Sequence, residues 1–375
     1  MKRFAKRILF LFLISFASFA SYQIYQKNNP ALKLRLTSTF SFSKKQSVTI
    51  TTIFGATTIT EPVLLDLLQS KAVLRMKHLD QGGVSRYVQH KKLFTRYDHS
   101  LGVFYLVRFY GGDLKEQVAA LLHDVSHTAF SHVGDFVFRG KDGDHSYQDD
   151  IHMWFLSKTD VPEILKKHGF VLNDFANESD FILLEQQIPD VCADRFEYNV
   201  RTALCEKLIT QKDVDEILHD LVFENGKWFF NNVDVAKKFA NIPFALMKMI
   251  WNAPWDYIAY QWSAKAIKLA FKKGILLKDD IHFGVDEGVW NILKNSKDEE
   301  IKKCVENILS APYNFYFSDS SDYDYHCKNK FRGIDPLVKT EDEIKRLTEV
   351  DADFEKLYKK EKQIIERGWF LKQIS

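Results

Sequence analysis

The 375-residue sequence predicts a mostly α fold with minor β structure, and three observations predict it. Apolar residues recur at helical spacing through most of the chain. Glycines and capping residues close those runs at lengths ordinary for helices. Strand-like stretches are confined to two short segments, Thr49–Thr60 and Phe223–Phe230. With 46% apolar and 14% aromatic residues the chain has ample material for a large core, as one large domain with an appendage or as two domains.

The first 28 residues read as a secretory signal peptide or membrane anchor. Lys2, Arg3, Lys6 and Arg7 precede an apolar run from Ile8 to Phe16, and Ser18-Phe19-Ala20 would serve as a cleavage site. Export or membrane anchoring is therefore expected. A start assigned too early, ahead of a cytoplasmic protein, is the alternative. The basic residues before the run favour an inside N-terminus, which would leave an anchored domain outside. Residues 29–50, rich in Ser, Thr and Lys, form a linker.

Next, "TITTIFGATTIT" (49–60) is β-branched and forms a strand or hairpin. Glu61-Pro62 starts a helix through "VLLDLLQSKAVLRMKHL", which Gly82-Gly83 ends. A second helix runs from His99 to about Gly111. Asp113 caps a third, with Glu116 three residues on completing a capping box. Residues 150–168 and 178–205 continue the helical pattern. "FENGKWFF" is a hairpin around Asn225-Gly226. Residues 233–273 and 285–308 are amphipathic helices, 309–338 are loop-like, and the tail beyond is a charged amphipathic helix. The aromatics Trp251, Trp255, Tyr257, Tyr260 and Trp262 read as core of a second helical layer rather than a stacking platform for bases.

Lys and Arg (52) nearly balance Asp and Glu (50), for a net charge of +2. No basic block suggests a nucleic-acid partner. Cys192, Cys205, Cys304 and Cys327 have no CxxC spacing, which argues against a zinc ribbon or a dense disulfide framework. Neither charge nor composition decides whether the chain forms a homo-oligomer.

The chemistry concentrates in "AALLHDVSHTAFSHVGD" (119–135). His123, Asp124, His127, His132 and Asp135 follow an apolar run, where charge is costly unless paired or bound to a metal. Asp124 reaches the same ion as His123 only if the helix ends or bends there. Imidazole with carboxylate suits Mn, Fe, Zn or Co. His99, at the start of one helix, and Asp194, in a later one, extend the set. Three helices could then present ligands to one centre.

Three ordered motifs carry a family resemblance: Arg96-Tyr97-Asp98-His99-Ser100-Leu101-Gly102-Val103, the His123–Asp135 stretch, and Asp194-Arg195-Phe196-Glu197-Tyr198-Asn199-Val200-Arg201. The chain resembles the HD-domain metal-dependent phosphohydrolases, and more narrowly the branch of dGTPases and the vertebrate SAM-and-HD-domain dNTP triphosphohydrolase. The resemblance implies an HD-domain helical bundle at 51–215. It would be followed by a helical extension with a small hairpin (216–330) and a C-terminal charged helix (331–375).

It further implies that His99, His123, Asp124 and Asp194 bind a divalent transition metal such as Mn or Fe, with a second Mg also open. Arg96, Arg195, Tyr198 and Arg201 would hold phosphate oxygens, and Gln81 would touch the sugar. His127 and His132 would sit at the α-phosphate, His132 as general acid, with Asp135 orienting an imidazole. His145 or His152 would be a further active-site histidine. The implied substrate is a nucleotide, with a deoxynucleoside triphosphate cleaved to nucleoside and triphosphate as the leading case. Phosphodiesterase or nucleotidase activity on another phosphoester is the alternative, as is a non-catalytic binding protein.

Two departures bear on the substrate. Cys192 stands where the dNTPases place an aspartate, and Leu74-Arg75-Met76-Lys77 replaces the vertebrate enzyme's regulatory stretch.

Overall fold

Thr-rich alternation folds into an antiparallel hairpin, β1 (Val48–Thr52) and β2 (Gly55–Ile59). The computed structural model describes residues 46–89, 94–139, 146–328, 330–341 and 343–374. The signal or anchor segment, most of the linker and His145 lie outside the described residues.

The expected single helix after Pro62 is two, α1 (Pro62–Leu68) and α2 (Lys71–Arg75). Ser70 caps the second through Val73 N, and Asp160, 89 residues away, accepts from Lys71 N at 2.7 Å. That distant carboxylate satisfies an amide freed by the break. After the short α3 (Ser85–Gln89), α4 (Arg96–Phe109) begins three residues ahead of His99 because Thr95 and Asp98 form a reciprocal capping box.

Helix α5 (Leu114–Leu122) is capped by Asp113, but Glu116 does not close a capping box. Its carboxylate accepts from Leu183 N and Leu184 N instead. A π-helical turn (Asp135–Arg139), α6 (Tyr147–Ser157) and α7 (Val161–Lys167) follow. The helical pattern of 178–205 is realised as a 3-10 turn (Glu178–Asp180) and α8 (Ala193–Cys205). Pro189 has no N–H for a helix interior, and the Cys192 sulfur caps α8 through Arg195 N.

After α9 (Gln211–Asp220) comes the expected hairpin, β3 (Leu221–Glu224) and β4 (Lys227–Phe230). Asn225 and Gly226 both take positive φ, 51° and 75°, as a primed two-residue turn requires. The expected helix 233–273 is interrupted: α10 (Val233–Leu246) passes into a π turn (Met247–Trp251) before Pro254 opens α11 (Pro254–Lys272). Then come α12 (Lys278–His282), α13 (Asp286–Lys294) and α14 (Glu299–Ser310).

Residues 309–338 are not merely loop. They hold β5 (Phe315–Phe317), β6 (Tyr325–Cys327) and β7 (Leu337–Lys339). The tail adds β8 (Ile344–Arg346), α15 (Leu347–Val350), α16 (Ala352–Arg367) and β9 (Trp369–Gln373). Strands β3-β4-β7-β8 make one sheet, with β4 and β7 parallel, and β9 is the centre of β5-β9-β6.

The described residues bury two apolar cores. One gathers the β1–β2 hairpin, α1, α2, α4, α5, α8 and α10, with Ile334, Val338, Phe354 and Ile365 from the tail. The other joins Ala129–Val137 to α11, α13 and α14. Trp255, Tyr257, Tyr260 and Trp262 pack on this second core, as expected, but Trp251 packs on the first. The histidine-rich stretch crosses the seam: Val125 belongs to the first core and Phe130 to the second.

Candidate metal centre

Helix α5 stops at Leu122, and His123 takes its C-cap position. The chain then turns, which lets adjacent residues His123 and Asp124 face the same point. His99 comes from the first turn of α4 and Asp194 from the first turn of α8. His99 Nε2 lies 3.2 Å from His123 Nε2, 2.8 Å from Asp194 Oδ1 and 3.7 Å from Asp124 Oδ2. His123 Nε2 lies 3.6 Å from Asp124 Oδ1 and 3.5 Å from Asp194 Oδ1. Ligand atoms at right angles around one ion, each ~2.1 Å from it, stand about 3 Å apart.

The donor chemistry fits a divalent cation. His123 Nδ1 donates to Ala120 O at 2.8 Å, and His99 Nδ1 meets Glu197 Oε2 at 2.5 Å. Both Nε2 lone pairs are thus aimed at one another and at carboxylate oxygen, an arrangement that calls for positive charge between them. Burial works against protonating His99, yet Glu197 and Asp194 push its pKa up to about 10. Asp124 is held well below the usual carboxylate range against its own burial, chiefly by the Arg96 guanidinium. Among the described residues His99, His123 and Asp124 form one compact group of possible metal ligands, and Asp194 adjoins it.

Glu197 is the positioning residue that the sequence reading passed over. It is fully buried and lies three residues after Asp194 on the same face of α8. It accepts from Arg201 Nε as well as meeting His99. Gly102 makes room: a Cβ there would overlap the Glu197 carboxylate. Its place in the third motif, one helical turn after Asp194, was the available signal.

The anion-binding expectations divide. Arg96 donates from Nη1 to Asp124 (2.6 Å) and from Nε to Ser131 (2.9 Å), leaving Nη2 buried without a partner among the described residues. Arg201 is bound to Glu197 and to Asp98 O (3.2 Å). Arg195 is turned to the loop before α8, bonding Asp190 O, Glu185 and Gln186 O. In both, the expected phosphate-facing guanidinium is occupied by the protein. Tyr198 does face the centre, its ring 6.4 Å from that of His99. Gln81 is half-buried, and its Oε1 has no partner among the described residues.

The other histidines are brought close. His127 lies 3.3 Å from Asp124, and burial first, then Arg96, lowers its pKa to about 3, so it stays neutral. His132 packs edge-on against it, ring centroids 5.0 Å apart. Asp135 accepts from His132 Nδ1 at 3.0 Å and from Tyr147 N at 2.6 Å. The His132 side chain is 36% exposed, so it is reachable from solvent. His152, the alternative to His145, is hydrogen-bonded to Ser126 at 2.8 Å, and burial and then the His123 charge lower its pKa to about 4.

Two buried charges hold the turning segment. Arg75 donates to Val125 O, His127 O and Gly284 O. Asp286 accepts from Phe130 N and Asp80 N. Phe130 and Ser131 have φ of 62° and 54°, a left-handed conformation that costs non-glycine residues about 1–3 kcal/mol each. These bonds and Ser131 Oγ to Asp80 O enforce it.

An HD-domain family model matches residues 96–180. The uncharacterized protein YdhJ of Bacillus subtilis is 34% identical over 311 residues, 83% of this chain and 94% of that protein. A metal-dependent phosphohydrolase of Cordyceps militaris, cns2, is 32% identical over 263 residues, 68% of this chain and 75% of its own. The chain belongs to the HD-domain metal-dependent phosphohydrolases. A phosphohydrolase structure from Bacteroides thetaiotaomicron shares the HD-domain fold at a TM-score of 0.63, covering 88% of this chain and 100% of that one at 16% identity. The deoxynucleoside triphosphate triphosphohydrolase SAMHD1 of Gallus gallus is 25% identical over 148 residues, 34% of this chain and 23% of its own. In this HD-domain phosphohydrolase the family match begins at Arg96, where α4 starts, and takes in three of the four expected metal ligands.

Proposed function

We propose that this HD-domain phosphohydrolase cleaves a nucleotide phosphoester with a divalent transition metal, Mn or Fe, held by His99, His123, Asp124 and Asp194. The observation that carries the reading is the convergence of two imidazole lone pairs and two carboxylates, each histidine fixed from its far side. A cation held there supplies Lewis acidity to a phosphoryl oxygen and lowers the pKa of a nearby water. Neutral His127 offers a hydrogen bond to the phosphoryl group. His132, oriented by Asp135, delivers a proton to the leaving oxygen.

A deoxynucleoside triphosphate is the leading substrate, supported by the three motifs and by the distant likeness to SAMHD1. A second reading, a phosphoester with fewer phosphates, is favoured by one observation: the guanidinium groups of Arg195 and Arg201 are already occupied.

The test is hydrolysis of dGTP, dATP, nucleoside monophosphates and cyclic nucleotides with Mn²⁺, before and after chelation, beside Asp124→Ala. Metal-dependent release of triphosphate, lost in the variant, is the expected result. Release only from the smaller esters selects the second reading, and no metal uptake at all sinks both. We further propose that residues 1–28 export or anchor the chain. Cell fractionation and N-terminal sequencing of the mature protein check this.

A further inference from the structure

With Arg195 and Arg201 occupied, the positive charge that faces bound phosphate must come from elsewhere. Arg96 contributes one partnerless nitrogen, Nη2, on the Asp124 side. On the Tyr198 side stands Arg332, more than a hundred residues beyond α8. Its backbone is pinned: Arg332 N donates to Met247 Sδ at 3.3 Å, and Asp335 N donates to Pro189 O at 3.1 Å. Between them Ile334 is fully buried, and Phe331 packs edge-on against Tyr358 at 5.3 Å.

Met247 opens the π turn that ends in Trp251, whose ring meets that of Tyr198 at 5.5 Å. Burial raises the Tyr198 pKa, and the Arg332 charge, ahead of that of Arg195, works against this rise. Arg332 is half-buried, and among the described residues its guanidinium makes no hydrogen bond or ion pair. A half-buried cation with no partner among the described residues is stabilised by an anion. A guanidinium on a fixed backbone suits a phosphate in two-pronged fashion.

We propose that Arg332 is an anion-binding residue of the phosphoester site, reaching phosphoryl oxygens on the Tyr198 side of the metal ligands. The proposal rests on the phosphohydrolase reading and refines it. The C-terminal region would then complete the site built by the HD domain and would favour substrates carrying more than one phosphate.

The test compares the full chain and its R332A and R332K variants, loaded with Mn²⁺, against inorganic phosphate, pyrophosphate and triphosphate. Binding is read by calorimetry and by the thermal midpoint. R332A is expected to weaken triphosphate binding about tenfold and inorganic phosphate by less than about twofold, with R332K between. For the substrate found by hydrolysis, KM rises while kcat stays within about twofold. The anion-free midpoint stays unchanged, because among the described residues the side chain has no hydrogen-bond or ion-pair partner to lose. Equal triphosphate binding by wild type and R332A overturns the assignment and leaves the phosphohydrolase reading standing. A lowered anion-free midpoint with parallel loss of all three anions makes Arg332 structural and also overturns it. A wild-type chain that takes up Mn²⁺ but binds no phosphate sinks both.

Discussion

Glu197 shows how much one side chain can do without touching a ligand directly. It fixes the His99 ring from behind and is itself held by Arg201. Replacing Glu197 with Gln keeps the shape but weakens the acceptor, and should cost about 10–100-fold in Mn²⁺ affinity, measured by chelator competition. Undiminished affinity would show that His99 needs no such support. Asp256, buried and bonded by Ser85, makes a different prediction. Burial pushes its pKa up to about 7. The folded chain therefore keeps this proton after the unfolded chain has lost it. Its stability contribution is full below about pH 4 and is lost as pH rises toward about 7. Urea melts across that window should show a flatter pH slope for Asp256→Asn than for wild type. Parallel slopes would mean that Asp256 does not titrate there.

Elements matter here mainly where they stop. Had α5 continued past Leu122, Asp124 would project about 100° around the helix from His123, away from the shared centre. Arg75, from α2, binds three carbonyl groups around the turn that follows. Arg75→Leu leaves those acceptors buried and unpaired, and should lower unfolding free energy by about 2–4 kcal/mol in denaturant titrations. Hydrolysis should fall with it, since Val125 and His127 are among the residues held. A variant of wild-type stability would remove Arg75 from this account. The break between α1 and α2 follows the same logic, because the Asp160 carboxylate that takes Lys71 N comes from another element.

At the scale of the molecule, the tail is stitched through both cores. Phe354 and Ile365 enter the first and Leu371 the second. Strand β9 pairs with both β5 and β6, which do not pair with each other. Ending the chain after Arg367 should lower the thermal midpoint by about 5 °C or more and speed amide exchange in β5 and β6. An unchanged melt would mean that the sheet contributes nothing to the second core.

The helical class, the Asn225-Gly226 hairpin, a β segment at 49–60 and the residues that meet at the centre were all legible in the sequence. These depend on short-range causes: helical spacing, Asn-Gly turn chemistry, and a dense run of histidine and aspartate that burial alone would not tolerate. The sequence also carried the condition that α5 must end at the motif. Which partner each charged group takes depends on how the elements pack. The sequence could not show that Arg195 and Arg201 would bind Glu185 and Glu197, or that Glu116 would leave its own helix cap for Leu183. The short strands β5 to β9 were hidden for the same reason. Three- to five-residue strands have little local pattern, and their stability comes from partners as far apart in sequence as Phe229 and Leu337. A charged side chain selects its partner by distance in space, which local sequence does not encode.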